Sequence, residues 1–375
     1  MVNVVMTGGA GFLGSRLARE LLAAGELALA GEAPRQLERV TLIDQVPVPP
    51  DLAADGRVTA VQGDLLELLM PRGAAREALR GADVLFHLAA AVSAECEADF
   101  MLGMRVNLGG TESLLASANA LSGRAAARPT RALQPALSDR PVFVYASSLA
   151  VFGDSADHPL PAVIDDDTLP NPQTSYGTQK AVGELLLADY TRKGFLRGRA
   201  VRLATVAVRP GRPNAAASGF ASSIIREPLA GRRVTCPVQP GTMVALASPG
   251  KAVAALLCAA TASDQAWGGR SALTMPALTV TVADMAAALQ RVAGAEVSAL
   301  IDWVPDPAVQ RIVASWPARV RADRAARLGL VPDPDLDSVI RAYAGDQATG
   351  KRSLASPGGF DAISAICPMC PEHTD

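Results

Sequence analysis

Tyr176 and Lys180 stand four residues apart at the start of a helical run, Ser175-Tyr176-Gly177-Thr178-Gln179-Lys180, so their side chains share one helix face. A phenol ordinarily titrates near pH ~10, too high for a base at neutral pH. A cation held beside it favours the phenolate and draws its pKa down toward the working range. Proton abstraction by Tyr176, with Lys180 as the activating cation, is the chemistry this spacing offers. The chain has four lysines, Lys180, Lys193, Lys251 and Lys351, and leaves its other positive charge to arginine. A Tyr-x-x-x-Lys pair alone also fits an ordinary helix start, so its weight comes from the elements around it.

The first of these is the opening of the chain. Val2 to Met6 is a short apolar, β-branched run, the pattern of a buried parallel strand. Thr7-Gly8-Gly9-Ala10-Gly11-Phe12-Leu13-Gly14 follows, and then an amphipathic helix pattern from Ser15 to about Ala24. In that arrangement Gly8 permits the tight turn, Gly11 lets a pyrophosphate approach the backbone, and Gly14 lets helix and strand pack closely. The helix N-terminus presents N–H groups and a positive dipole end to the phosphates. Gly8, Gly11, Phe12, Leu13 and Gly14 therefore form a candidate dinucleotide cradle.

The strands that follow would complete it. Arg39 to Ile43 ends in Asp44, placed where a carboxylate accepts from both adenosine ribose hydroxyls of NAD. A 2′-phosphate would meet that carboxylate with no arginine in the following Gln45-Val46-Pro47 to offset it, so NAD is expected over NADP. Val58 to Gln62 runs into Gly63-Asp64-Leu65, within reach of an adenine amino group. Val84 to Leu88 runs into Ala89-Ala90-Ala91, whose small side chains leave room for a cofactor. Ser93 either hydrogen-bonds the cofactor or caps a turn. A fifth strand, Pro141 to Ala146, delivers Ser147 and Ser148.

Composition limits the rest. The sequence has 375 residues, a net charge of −2 and no basic block, which argues against nucleic acid or an anionic membrane surface as partner. No apolar run approaches the ~20 residues of a membrane span. A first strand beginning at Val2 leaves no room for a signal peptide, and a cytoplasmic protein is expected. Five cysteines fit a reducing compartment. Cys367-Pro-Met-Cys370, with His373, lacks a second ligand pair, and the three histidines are scattered, so no metal is expected.

Strand–helix alternation up to about Ala204 predicts an α/β fold, a Rossmann-type doubly wound parallel sheet over residues 1–205. It is interrupted by an Arg-, Ala- and Pro-rich segment at 122–141, read as an exposed loop or short extra helix. From Val206 the pattern changes, predicting a smaller α/β substrate lobe over 206–345. That lobe is discontinuous, because Arg270 to Met275 resembles a strand returning to the main sheet. Helical patterns recur at 281–293 and 337–343, and residues 346–375 lose periodicity and read as a mobile tail.

Tyr176-Gly177-Thr178-Gln179-Lys180, Ser147 and Ser148 on the preceding strand end, and Gly8, Gly11 and Gly14 together resemble the extended short-chain dehydrogenase/reductase family. That family includes sugar-nucleotide epimerases, dehydratases and sugar-acid dehydrogenases, and the resemblance covers roughly residues 1–345. Four stretches resemble one branch, whose members oxidise D-erythronate, a four-carbon sugar acid, at C2 with NAD. They are Phe86 to Ser93, Ser175 to Leu187, Arg209 to Ala217 and Ile225 to Gly231. The resemblance implies Tyr176 as general base and Lys180 as the group holding the nicotinamide ribose. It aligns Ser148, in Ser148-Leu149-Ala150-Val151-Phe152-Gly153, with the family's catalytic serine, with Ser147 left open as a substrate contact. Asn107 matches an asparagine that holds a structural water, Ser93 matches a cofactor contact, and the family habit is a homodimer through helices 104–121 and 176–193. The sequence departs from the family pattern in the length of 122–141 and of Gly153 to Leu160, and in Ala204, where proline is expected.

A small hydroxy acid needs a cationic clamp, and arginine binds carboxylate bidentately. Arg209 and Arg226 are the candidates in the substrate lobe. Three readings are therefore carried forward: an NAD-dependent sugar-acid dehydrogenase, a nucleotide-sugar epimerase or dehydratase recycling its NAD, and a non-enzymatic NAD sensor. An aromatic content of 4% disfavours a uracil site, and an intact Tyr176/Lys180 pair disfavours a sensor.

Overall fold

A computed structural model describes residues 1–121, 140–211 and 217–348. Most of segment 122–141 and the tail from residue 349, with its Cys367/Cys370 pair, lie outside the described residues. The first half alternates strands and helices: β1 (Val2–Thr7), α1 (Phe12–Ala24), β2 (Glu26–Leu27), β3 (Arg35–Asp44), β4 (Val58–Gln62), β5 (Val84–His87), α2 (Ser93–Ala98), α3 (Gly110–Leu121), β6 (Val142–Ser148), α4 (Ser175–Arg192) and β7 (Arg197–Leu203). The second half adds β8 (Thr205–Val206), α5 (Phe220–Leu229), β9 (Val234–Cys236), β10 (Met243–Ala247), α6 (Pro249–Thr261), β11 (Leu273–Thr274), β12 (Leu278–Thr281), α7 (Val282–Ala293), β13 (Ile301–Trp303) and α8 (Leu336–Ala348).

The strands of the main sheet lie in the order β11-β7-β6-β5-β1-β3, with β4 and the short β2 both on β3. Every pairing in it is parallel except β2 with β3. The order reverses at β1, the switch point outside which α/β sheets of this kind bind ligands. β5 is buried throughout and β6 through Ser147, as expected of strands covered on both faces. One face is covered by α1 and α6, through Leu17, Leu21, Val253 and Leu256. The other is covered by α3 and α4, through Leu114, Leu115 and Leu187. The fold is thus the Rossmann-type doubly wound sheet that the strand–helix alternation predicts.

Several boundaries differ from those read in the sequence, for local reasons. β3 starts at Arg35, because Arg35 and Gln36 pair with Leu27 and Glu26. β6 runs to Ser148, because its register with β7 continues to Ser148 opposite Leu203. α1 starts three residues early and stops at Gly25, whose φ of 72° makes the left-handed C-cap.

A second hydrophobic core lies around α5, α7 and α8, built from Phe220, Ile224, Val244, Met285, Leu289 and Ile340. It is flanked by the small sheets β12-β10-β8 and β13-β9. Within 206–345, α6 packs on the main sheet, and β11 pairs in parallel with Val201 and Arg202 of β7. Among the described residues, no helix is long and apolar enough to cross a membrane.

Candidate active site

The carboxyl ends of the parallel strands and the second lobe enclose a cavity of about 680 Å³. At one end lies the glycine turn. Gly8 has φ +71°, and a Cβ there would fall 2.7 Å from Ala89 N; one on Gly14 would fall 2.1 Å from Gly8 O. Glycine is therefore required at both positions by the close packing of the turn on the next strand end and on the start of α1. α1 has no side-chain N-cap, which leaves its terminus suited to an anion. Phe12 and Leu13 complete this wall. Asp44, at the end of β3, accepts from Ala10 N at 3.0 Å and Gly11 N at 3.1 Å through Oδ2. One carboxylate oxygen thus fixes the turn, and the group faces the cavity. Asp64 caps the following turn at Leu66 N, 2.9 Å, and pairs with Arg105 at 2.9 Å. Arg105 is the arginine that the residues after Asp44 do not provide, and it is engaged by Asp64. Leu65, Leu88, Ala89 and Ser93 line the same cavity. Ser93 Oγ accepts from Ala217 N at 3.0 Å, tying α2 to the second lobe. These contacts fit a dinucleotide with free ribose hydroxyls.

The reacting groups gather at the other end. α4 starts at Thr174, whose side chain accepts from Gly177 N at 3.1 Å, and so presents Tyr176 and Lys180 to the ends of β6 and β7. Ser148 lies beside Tyr176, close enough to draw its phenol downward, and its Oγ accepts from Ala150 N at 3.1 Å. Lys180 Nζ donates to the Ala146 carbonyl at 2.8 Å and lies 5.7 Å from the Tyr176 ring centroid. Burial pushes the Tyr176 phenol up to about 12, against the pull of the Arg209 guanidinium and of the Ser148 hydroxyl. Burial also pushes Lys180 down to about 8. This corrects the sequence expectation: desolvation outweighs the neighbouring lysine, and the cation that draws Tyr176 downward is Arg209.

The remaining expected residues divide. Ser147 borders the cavity, but its Oγ donates to Glu184 Oε1 at 2.5 Å, away from Tyr176. Arg209 lies in the cavity wall, with Nε on the Val206 carbonyl at 3.2 Å. Arg226 does not line the cavity. It is buried on α5, held by Glu227 at 2.7 Å, Ser223 at 3.1 Å and the Arg209 carbonyl at 2.8 Å. It props the backbone that carries Arg209. Asn107 sits in a π-helical turn, Met104–Gly109, the kind of local widening often found beside functional sites. Its amide is occupied by protein: Oδ1 accepts from Ala91 N at 2.8 Å, and Nδ2 donates to Ala91 O at 3.1 Å and Gln179 at 2.8 Å. It holds the loop after β5 against α4.

Sequence reasoning missed Glu184 and Arg202, buried beneath Ser147, and the wall made by Thr205, Ser218, Met243, Val313, Trp316 and Pro317. Glu184 carried a signal, since it is the next residue after Tyr176 and Lys180 in the i, i+4, i+8 series. Arg202 carried less, being one of three buried arginines in β7 with Arg197 and Arg199.

A model of the NAD dependent epimerase/dehydratase family matches residues 4–265. A D-erythronate dehydrogenase of Cupriavidus necator is 47% identical over 350 residues, spanning 93% of this chain and 100% of that protein. A second D-erythronate dehydrogenase, from Haemophilus influenzae, is 37% identical over 91% of this chain and 98% of its own length. Among solved structures, the nucleoside-diphosphate-sugar epimerase from Agrobacterium tumefaciens superposes with a TM-score of 0.78 at 38% identity, covering 93% of this chain and 95% of that one. The L-threonine 3-dehydrogenase of Trypanosoma brucei, at 21% identity and a TM-score of 0.74, shares the fold.

Proposed function

The chain belongs to the NAD-dependent epimerase/dehydratase family and is an NAD-dependent dehydrogenase acting on a CH–OH group, and we propose that it oxidises D-erythronate, or a close 2-hydroxy sugar acid, at C2 to the 2-keto acid. The observation that carries this reading is Arg209 in the cavity wall, within electrostatic reach of Tyr176. A guanidinium there suits the carboxylate of an acid whose adjacent hydroxyl is the one to be deprotonated.

In this mechanism the substrate hydroxyl lies between Tyr176 and Ser148. Ser148 donates to the hydroxyl oxygen and steadies the negative charge that grows on it. Tyr176, as phenolate, takes the hydroxyl proton, and Arg209 favours that charged form. NAD, when bound, would supply the acceptor for the hydride. Gly8, Gly11, Phe12, Leu13 and Gly14 would hold its pyrophosphate, Asp44 the adenosine ribose, and Asp64 and Leu65 the adenine; Leu88, Ala89 and Ser93 would line its path, and Lys180 would hold the nicotinamide ribose. Arg209 orients the substrate by its carboxylate and thereby chooses C2. A cytoplasmic homodimer through helices 104–121 and 176–193 belongs to the same proposal. It is supported by the exposed Phe100, Met101 and Leu185 on or beside those helices.

The likeness to a protein described as a nucleoside-diphosphate-sugar epimerase favours a second reading, isomerisation of a nucleotide sugar with NAD returned unchanged. Incubation with NAD and a panel of four- to six-carbon aldonic acids, followed at the NADH absorbance, separates the two. Stoichiometric NADH with D-erythronate supports the dehydrogenase. Isomerisation of a nucleotide sugar without net NADH, or equal turnover of uncharged polyols, refutes the sugar-acid reading.

A further inference from the structure

α4 meets β6 at three successive points along one helix face. Tyr176 lies beside Ser148, Lys180 Nζ donates to the Ala146 carbonyl at 2.8 Å, and Ser147 Oγ donates to Glu184 at 2.5 Å. The i, i+4 and i+8 positions of the helix thus all hold the last three residues of the strand, though not in sequence order: Ser148, Ala146 and Ser147 respectively. The third point is the most firmly held. Arg202, directly opposite Ser147 in the β6–β7 register, grips Glu184 with Nε at 3.0 Å and Nη2 at 2.8 Å. Arg202 itself lies 4.8 Å over the Phe152 ring. Glu184 and Arg202 are both under a tenth exposed. A buried ion pair contributes little net stability compared with an apolar pair of similar volume, so its placement under the reacting groups asks for another account.

We propose that Glu184 is a positioning residue for the proton transfer, holding α4 in register on β6 through Ser147 so that Tyr176 and Lys180 meet their strand partners. Ser147, buried and donating to a carboxylate fixed by Arg202, serves as the strand's half of this contact. Glu184 also supplies the negative charge one turn from Lys180 and raises its proton affinity against burial. The other titratable groups around Lys180 are Tyr145 on β6, His87 on β5, Cys96 on α2 and Tyr176 on α4 itself. The inference rests on Tyr176 as base, and Tyr176→Phe tests that separately: normal turnover in Tyr176→Phe would remove the premise whatever Glu184 does.

The experiment compares wild type, Glu184→Ala, Ser147→Ala and the double variant in kcat, in KM for D-erythronate and in the pH profile of kcat. Folding is checked by thermal unfolding and NAD affinity by calorimetry. A displacement of about 1 Å can cost ~10²-fold in rate, so Glu184→Ala is expected to lower kcat by roughly 10- to 100-fold with KM changed less than about threefold. Its alkaline limb should move to lower pH as Lys180 loses the negative charge one turn away. Ser147→Ala should share the kcat loss but keep the limb in place, and the double variant should be no slower than Glu184→Ala. A Glu184→Ala enzyme within twofold of wild type, an unmoved limb, or losses that multiply in the double variant would overturn the proposal. Should Glu184→Ala not fold, Glu184→Gln keeps an acceptor for Ser147 while removing the carboxylate one turn from Lys180. It should lose less kcat than Ser147→Ala and still move the limb to lower pH, and an unmoved limb would again overturn the proposal.

Discussion

Replacing Arg209 by Met removes the cation from the cavity wall and keeps most of the side chain's apolar length. The Nε bond to Val206 is lost, but the backbone is held independently by Ser222 Oγ at 3.0 Å and by Arg226 on the carbonyl, so the fold should survive. Two effects follow. A bidentate contact with a substrate carboxylate consists of two charge-assisted hydrogen bonds, each worth about 1.5–3 kcal/mol. Arg209 is half-buried and not sealed from water, so the lower end applies. A loss of about 3 kcal/mol is about 10²-fold in kcat/KM for the acid. The guanidinium also draws the Tyr176 phenol downward from where burial holds it. Without it the neutral phenol gains, and the acid limb of the rate profile moves to higher pH. The assay is steady-state NADH formation from pH 6 to 10 with D-erythronate and with its uncharged lactone or alcohol analogue. The acid should suffer the full loss, and the analogue only the part that passes through Tyr176. Arg209→Lys should restore charge but not the bidentate geometry. Equal losses for acid and analogue would refute the carboxylate clamp. A larger KM effect from Arg226→Met than from Arg209→Met would refute the assignment between the two arginines.

Tyr176→Phe should lower kcat by about 10²–10⁴-fold with NAD affinity little changed in a binding titration, and near-normal turnover would exclude Tyr176 as base. Asp44→Ala should weaken NAD and narrow its preference over NADP, because it removes both the ribose acceptor and the anchor of Ala10 and Gly11. Equal use of both cofactors by the wild type would show that Asp44 does not read the ribose. His87 is buried between Thr7 and Thr111, and burial, aided by Lys180, pushes it down to about 3. It is neutral in the fold, while the unfolded chain takes up a proton below pH ~6.5. The associated stability is therefore complete above that pH and is lost progressively as pH falls toward 3, on the order of 5 kcal/mol in all. Urea unfolding of wild type and His87→Gln across this range should show the difference, and parallel pH dependences would contradict it.

Much of the nucleotide half was legible because local pattern and tertiary role coincide there. Glycines at 8, 11 and 14 are needed by the turn itself, Asp44 ends the strand that pairs beside it, and Tyr176 and Lys180 are fixed relative to each other by one helix. What was not legible depends on partners distant in sequence. Arg209 and Arg226 look alike as isolated arginines; Glu227 and Ser223 engage one, and the cavity receives the other. Ser147 and Ser148 are strand neighbours that point to opposite faces, and which of them meets Tyr176 is decided by how α4 lies on the strand, where Glu184 takes Ser147. The proton affinity of Tyr176 was misjudged for the same reason: the Lys180 contact could be read from helix spacing, whereas the depth of burial belongs to the assembled fold.

The return of β11 to the main sheet bears on how this protein can be recombined. The residues that enclose the substrate do not form a detachable C-terminal block. The chain leaves the nucleotide scaffold after β7, comes back to cover it with α6 and to close its edge with β11, leaves again, and returns once more where Ala325, Leu328 and Leu330 join the main core. A fragment ending near residue 205 would lack both that cover and that edge strand, exposing the unpaired rim of β7 to other chains. Exchange of substrate preference between relatives would therefore require transplanting separate excursions, 206–247 and 278–316, while keeping the stretches that join them to the scaffold native. Variation in specificity is in this way confined to insertions in a continuous scaffold, and a crossover placed inside 249–274 would sacrifice solubility before it altered what the cavity accepts.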